Sequence, residues 1–172
     1  MYNREYTPER ITELKPNEIF VFGSNLAGAH GGGAARLAYE RFGAIWSQGV
    51  GLQGQSYAIP TMQGGVETIK PYVDEFICFA KTRSDLKFYV TQIGCGIAGF
   101  KVEEIAPLFL TAIEVENIIL PKGFVEFLSK TRYPKIEKLI NNVDIENYPA
   151  YKECVKGIAE ITALDENNIP FI

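Results

Sequence analysis

Between Gly23 and Gly33 the chain sets five glycines beside Ser24, Asn25 and its only histidine, His30. Such a density argues against a helix or strand, because each glycine costs about 1 kcal/mol relative to alanine in a helix. What it offers is bare main chain whose N–H groups can approach a ligand closely. The run closes with Gly31, Gly32 and Gly33, directly before the helix-forming residues Ala34, Ala35, Leu37 and Ala38. A helix N-terminus there adds partial positive charge, so the chemistry expected is capture of an anion, phosphate foremost. A second run, Gly94, Cys95, Gly96, Ile97, Ala98, Gly99 and Phe100, has glycine at three of seven positions. Neither a Gly-Lys-Ser/Thr P-loop nor a G-x-G-x-x-G fingerprint is present in the first run.

Other side chains suit chemistry less specifically. Asn25 reads either as a ligand contact or as a turn stabiliser. His30, on a glycine loop and therefore expected to be exposed, is the candidate acid or base, and an imidazole suits proton transfer near neutral pH. Cys95, flanked by glycines, reads as a nucleophile beside a helix N-terminus that lowers its thiol pKa, or as small apolar packing. Arg36, one turn into the helix, faces phosphate or solvent. Gln53 and Gln55 can position water but cannot act as a base. Trp46, Tyr57 and Tyr89 are core or rim aromatics, one of which can stack on a base. Cys78, Cys95 and Cys154 are odd in number and widely spaced, and one histidine cannot build a histidine-rich metal centre. Neither a metal nor a cofactor is expected.

These loops need elements to hold them. Ile19 to Phe22 is a short apolar run suited to a buried strand, with the first glycine loop and a helix over 34–42 after it. Ser56 to Ile59 is a strand stopped by Pro60, and 66–83 carries apolar residues at three- and four-residue steps, describing an amphipathic helix. Lys87 to Ile93 is a strand that runs into the second glycine loop. A helix over 102–113 with Glu103 and Glu104 in its first turn comes next, then a strand over 115–120 closed by Pro121. Upstream, Pro8 after Thr7 opens a short helical turn to Leu14. Alternating strands and helices predict an α/β fold with a parallel or mixed sheet. Ligands in such folds sit beyond strand carboxyl ends, and both glycine loops leave such ends, so they are expected to face one crevice. After residue 121 glycine thins and helical spacings dominate, which predicts a core over 1–121 and a helical C-terminal appendage over 122–172.

The 172 residues suffice for a substantial core. With 21 acidic against 17 basic residues, nucleic acid is an unlikely partner. No apolar run nears the ~20 residues of a membrane span, and MYNREYTPER lacks the apolar core of a signal peptide, so a cytoplasmic location is expected with no membrane partner.

GSNLAGAHGGGAARLA and IGCGIAGF together resemble the macro domains, ADP-ribose-binding α/β/α modules, over residues 19–120. The resemblance implies a three-layer mixed-sheet core. It also implies that Asn25 bonds the distal ribose and Gly31 to Gly33 admit it to the backbone, and that Gly94 to Phe100 cradle the diphosphate, with Phe100 near the ribose. The implied binding set is Gly23, Ser24, Asn25, Gly31, Gly32, Gly33, Ala34 and the seven residues of the second loop. The chain departs from the family in having no convincing aspartate for the adenine amino group. Ala34, Ala35 and Arg36 stand where hydrolytic members carry an aspartate. The function expected is binding of ADP-ribose or a related nucleotide diphosphate. The alternatives are hydrolysis of ADP-ribosylated substrates or ADP-ribose phosphate with His30 as base, and an interaction protein with a vestigial crevice.

Overall fold

Side chains alternate across each strand, and the sequence uses both faces. Ile19 and Val21, Tyr57 and Ile59, Phe88 and Val90, and Ile118 point one way, while Phe20, Phe22, Ala58, Tyr89 and Ile119 point the other. A computed structural model, describing residues 5–131, builds from these an α/β fold with a five-stranded mixed sheet. The strands are β1 (Glu18–Ser24), β2 (Gly51–Gln53), β3 (Ser56–Pro60), β4 (Lys87–Val90) and β5 (Ile118–Ile119), in the order β2-β3-β1-β4-β5. All neighbours pair in parallel except β2, which runs antiparallel to β3.

Both faces are covered, as strands that are apolar on both sides require. Helix α1 (Gly33–Arg41) packs Ala35 and Ala38 with Phe42 against Phe20 and Phe22. Helix α2 (Val66–Thr82) packs Ile69, Val73, Phe76, Ile77 and Ala80 on the opposite face, with Ile105, Phe109, Ala112 and Phe124 beside it. The helix expected over 102–113 is instead a short α3 (Val102–Ile105) continuing as a 3₁₀ segment (Ala106–Glu114). Pro107 lies at its start, where its missing N–H cannot serve an i→i−4 ladder.

Several expectations change. The strand predicted to Ile93 stops at Val90: Thr91 N–H still reaches Val21 O (3.0 Å), but Ile93 N–H then donates to Thr91 O (2.7 Å) and Cys95 N–H to Gln92 O (3.2 Å), so the chain turns on itself instead of pairing further. No helical turn forms over 8–14. Thr7 instead forms an isolated parallel bridge with Pro121, its N–H donating to Leu120 O (3.0 Å) and its Oγ1 to Ile119 O (2.7 Å). Residues 122–131, the start of the helical appendage expected over 122–172, are helical and bury Phe124, Val125 and Leu128 in the α2-side core. The helical appendage predicted beyond residue 131 lies outside the described residues. Among the described residues, no helix is long and apolar enough to cross a membrane.

Candidate functional site

The chain leaves β1 and passes through α1 to β3 on one side, whereas β4 lies on the other side of β1 and leads on through α3 toward β5. The connections after β1 and β4 thus diverge to opposite faces and directions. Such a point leaves a crevice at the strand carboxyl ends. A cavity of about 400 Å³ occupies it.

Both glycine loops meet over this cavity. Gly23, Ser24, Asn25, Gly31, Gly32, Gly33 and Ala34 line it from the first loop, and Gly94, Gly96, Ile97 and Ala98 from the second. Their proximity is direct: a Cβ on Gly32 would lie 3.2 Å from Ile97 Cδ1, and one on Gly23 would lie 3.4 Å from the amide nitrogen of Gly94. Gly23 and Gly32 therefore keep the space between the loops open.

Among the described residues, no charged side chain lines the cavity, and its polar groups come from Ser24, Asn25, Thr61, Thr91 and Gln92 as well as from the main chain. Gly32 caps α1 with no side-chain bond, and the first turn of α1 carries no acidic residue, so its leading N–H groups keep their field. In the second loop the turn is closed by Cys95 N–H to Gln92 O, Gly99 N–H to Gly96 O and Phe100 N–H to Gly94 O. The amides of Gly96, Ile97 and Ala98 make no such bond among the described residues.

Four candidates stand outside the lining. His30 is buried at 1 % exposure rather than exposed on the loop. Its Nε2 faces the carbonyls of Ile45 (3.0 Å) and Gln48 (3.1 Å), which only accept, so Nε2 carries the hydrogen and donates to both. Nδ1 is buried without a partner. The ring packs edge-on to Phe22, with centroids 5.3 Å apart, and His30 is not among the residues that line the crevice. Cys95 is half-buried. Burial, then Glu103 and Glu104, push its thiol up, the reverse of the activation that a helix N-terminus was expected to give. Phe100 packs against the α2-side core, and Gly99, at φ +77°, shapes the loop.

Other polar residues prove structural. Both ends of the Asn25 amide serve Ala29: Nδ2 donates to its carbonyl (2.8 Å) and Oδ1 accepts from its N–H (3.0 Å). Asn25 thus lines the crevice while closing its own loop. Gln53 is buried, its Nε2 donating to Gln48 O and Gly51 O, and Gln55 donates to Lys15 O and Glu18 O. Arg36 turns to Glu40 (2.7 Å) on the solvent face of α1. Tyr57 is buried against Phe76 and Phe79, and burial, then Glu75, push its hydroxyl up to about 12.

Residues outside the two glycine loops complete the wall. Thr61 and Met62 follow β3, and Thr91, Gln92 and Ile93 follow β4, so the rule that ligands gather at strand carboxyl ends points to both groups. Trp46, read from the sequence as a core or rim aromatic able to stack on a base, is half-exposed and joins from the loop after α1. Among the described residues, no group of three histidine, cysteine or acidic side chains is placed to hold a metal ion. No family model, curated protein or solved structure matches the chain.

Proposed function

We propose that the chain is a macro-domain-like module that binds ADP-ribose or a related nucleotide diphosphate between its two glycine loops. The carrying observation is that both loops, from strands adjacent in the sheet, line one cavity that, among the described residues, is free of charged side chains and offers unbonded amides. Amides hold phosphate oxygens without the desolvation cost of a buried ammonium, and hydrogen bonds to a charged acceptor contribute about 1.5–3 kcal/mol each. The positive end of α1 adds a smaller term of the same sign. A volume near 400 Å³ falls within the range of small-molecule sites. Helices on both faces of the sheet support the three-layer reading.

Binding rather than turnover is the reading we favour, since His30 is not among the lining residues and, among the described residues, no carboxylate lines the crevice. Calorimetry of the full chain with ADP-ribose, ADP, NAD and inorganic phosphate tests it. Saturable heats for the diphosphates, larger than for phosphate alone, are expected. A folded protein that gives no heat at millimolar ligand removes the proposal.

A further inference from the structure

Trp46, the chain's single tryptophan, is half-exposed on the crevice wall and, among the described residues, is the sole aromatic side chain lining it. Its ring stands nearly perpendicular to two others: His30, with centroids 6.3 Å apart at 77°, and Tyr39, at 5.7 Å and 70°. No ring lies parallel to the indole among the described residues. The loop beneath it is fixed on both sides, because the single Nε2 of His30 donates to the carbonyls of Ile45 and Gln48, flanking Trp46 in the chain. Ser47 N–H donates to Gly28 O (3.0 Å), and Ser47 itself stands at φ +72°, the one positive φ outside glycine among the described residues. Strain of this kind persists where surrounding structure over-determines it. A rim residue that only shielded the core would not need such fixing.

From this geometry we propose that Trp46 is a stacking platform that makes the crevice selective for phosphate compounds carrying a flat aromatic ring, the base of a nucleotide. The inference rests on the reading of the glycine loops as the phosphate site. With no charged side chain in the lining, ion pairs cannot discriminate one phosphate ester from another, whereas an indole face discriminates by the ring it covers. His30 and Tyr39 are then positioning residues, in edge contact with the indole.

Because no other tryptophan is present, the intrinsic fluorescence of the full chain reports on Trp46 directly. Pyrophosphate, ribose 5-phosphate and ADP are titrated by fluorescence and calorimetry in parallel. All three should give heat, but only ADP should quench the indole. Trp46→Ala should weaken ADP about ten-fold and leave pyrophosphate within about two-fold, and Trp46→Phe should recover most of the loss. Thermal unfolding of both variants checks that the fold is kept, and the phenylalanine variant keeps the test decisive if the alanine variant does not fold. Equal losses for ADP and pyrophosphate, or no loss for either, overturn the platform. Ribose 5-phosphate quenching as ADP does, with the same dependence on Trp46, assigns the face to a sugar and overturns the base. Pyrophosphate binding that ignores Trp46 together with ADP binding that does so fails the platform alone, while absence of binding by every phosphate compound fails the crevice reading and the platform with it.

Discussion

His30 has the polarity of a catalyst and the surroundings of a strut. One N–H serves two carbonyls fifteen and eighteen residues away, and the ring fills space against Phe22. Removing it leaves both carbonyls without that donor and opens a cavity, two effects with the same sign. His30→Ala should therefore lower the unfolding free energy by about 2–4 kcal/mol, read as a drop in the urea midpoint at unchanged slope. A midpoint equal to wild type would mean that the 45–48 loop is held by its other contacts. Asn25 and Gln53 follow the same logic, their amides occupied by backbone groups of their own and neighbouring loops.

At the scale of elements, two kinds of glycine stand out around the crevice. Gly28, at φ +64°, and Gly49 sit where a Cβ would overlap backbone, at Gln48 and Asn25 respectively. They let the 25–30 and 45–49 segments lie main chain to main chain. Gly31 and Gly96 line the crevice, and a Cβ on either would meet nothing within 4 Å. Gly31→Ala and Gly96→Ala should stay within about 0.5 kcal/mol of wild type in urea yet weaken diphosphate ligands about ten-fold by narrowing the crevice. Gly28→Ala and Gly49→Ala should lose about 2 kcal/mol or more of stability. Unchanged affinity in both crevice variants would take the loops out of ligand contact. The strands and helices around these loops were legible because their apolar spacing is local: Ile19 to Phe22, Ser56 to Ile59 and 66–83 each carry their own signal. What was not legible depends on distant partners. β2 is three residues of a glycine-rich stretch that become a strand only by pairing antiparallel with β3. His30 is buried because the 45–48 loop folds over it, and that same packing brings Trp46 to the crevice. Thr7 exchanges the local helical preference of Pro8 for a bridge to Pro121, and no spacing near Thr7 announces a partner so far along the chain.

Across the whole molecule, charge works at the periphery rather than at the crevice. The chain carries a net charge of −4, so no overall field draws an anion in, and the loops must act through short-range amide contacts. The peripheral charges have a structural task near the N-terminus, where residues 5–11 touch β4, β5 and the α1-side core in turn. Glu5 accepts from Lys87 Nζ at 2.6 and 2.8 Å and from Tyr89 Oη at 3.0 Å. The hydrogen bond from Lys87 holds the Glu5 carboxyl below its ordinary 4.5, and the same bond holds the Lys87 ammonium above its ordinary 10.5. A depressed acid contributes stability above its unfolded value and loses it as pH falls through the folded one. A raised base contributes below its unfolded value and loses it as pH rises through the folded one. The pair therefore acts between these limits and fades at both ends. Both groups are largely in contact with solvent, which keeps the coupling below about 1 kcal/mol. Glu5→Gln should thus lower stability by less than about 1 kcal/mol across the neutral range. The difference from wild type should shrink as pH falls below the ordinary 4.5 and through the lowered value of the folded state, where the carboxyl of the wild type is itself neutralised. Urea unfolding of both proteins from pH 3 to 8 measures it, and a gap undiminished at pH 3 would assign the Glu5 contact to packing rather than to charge.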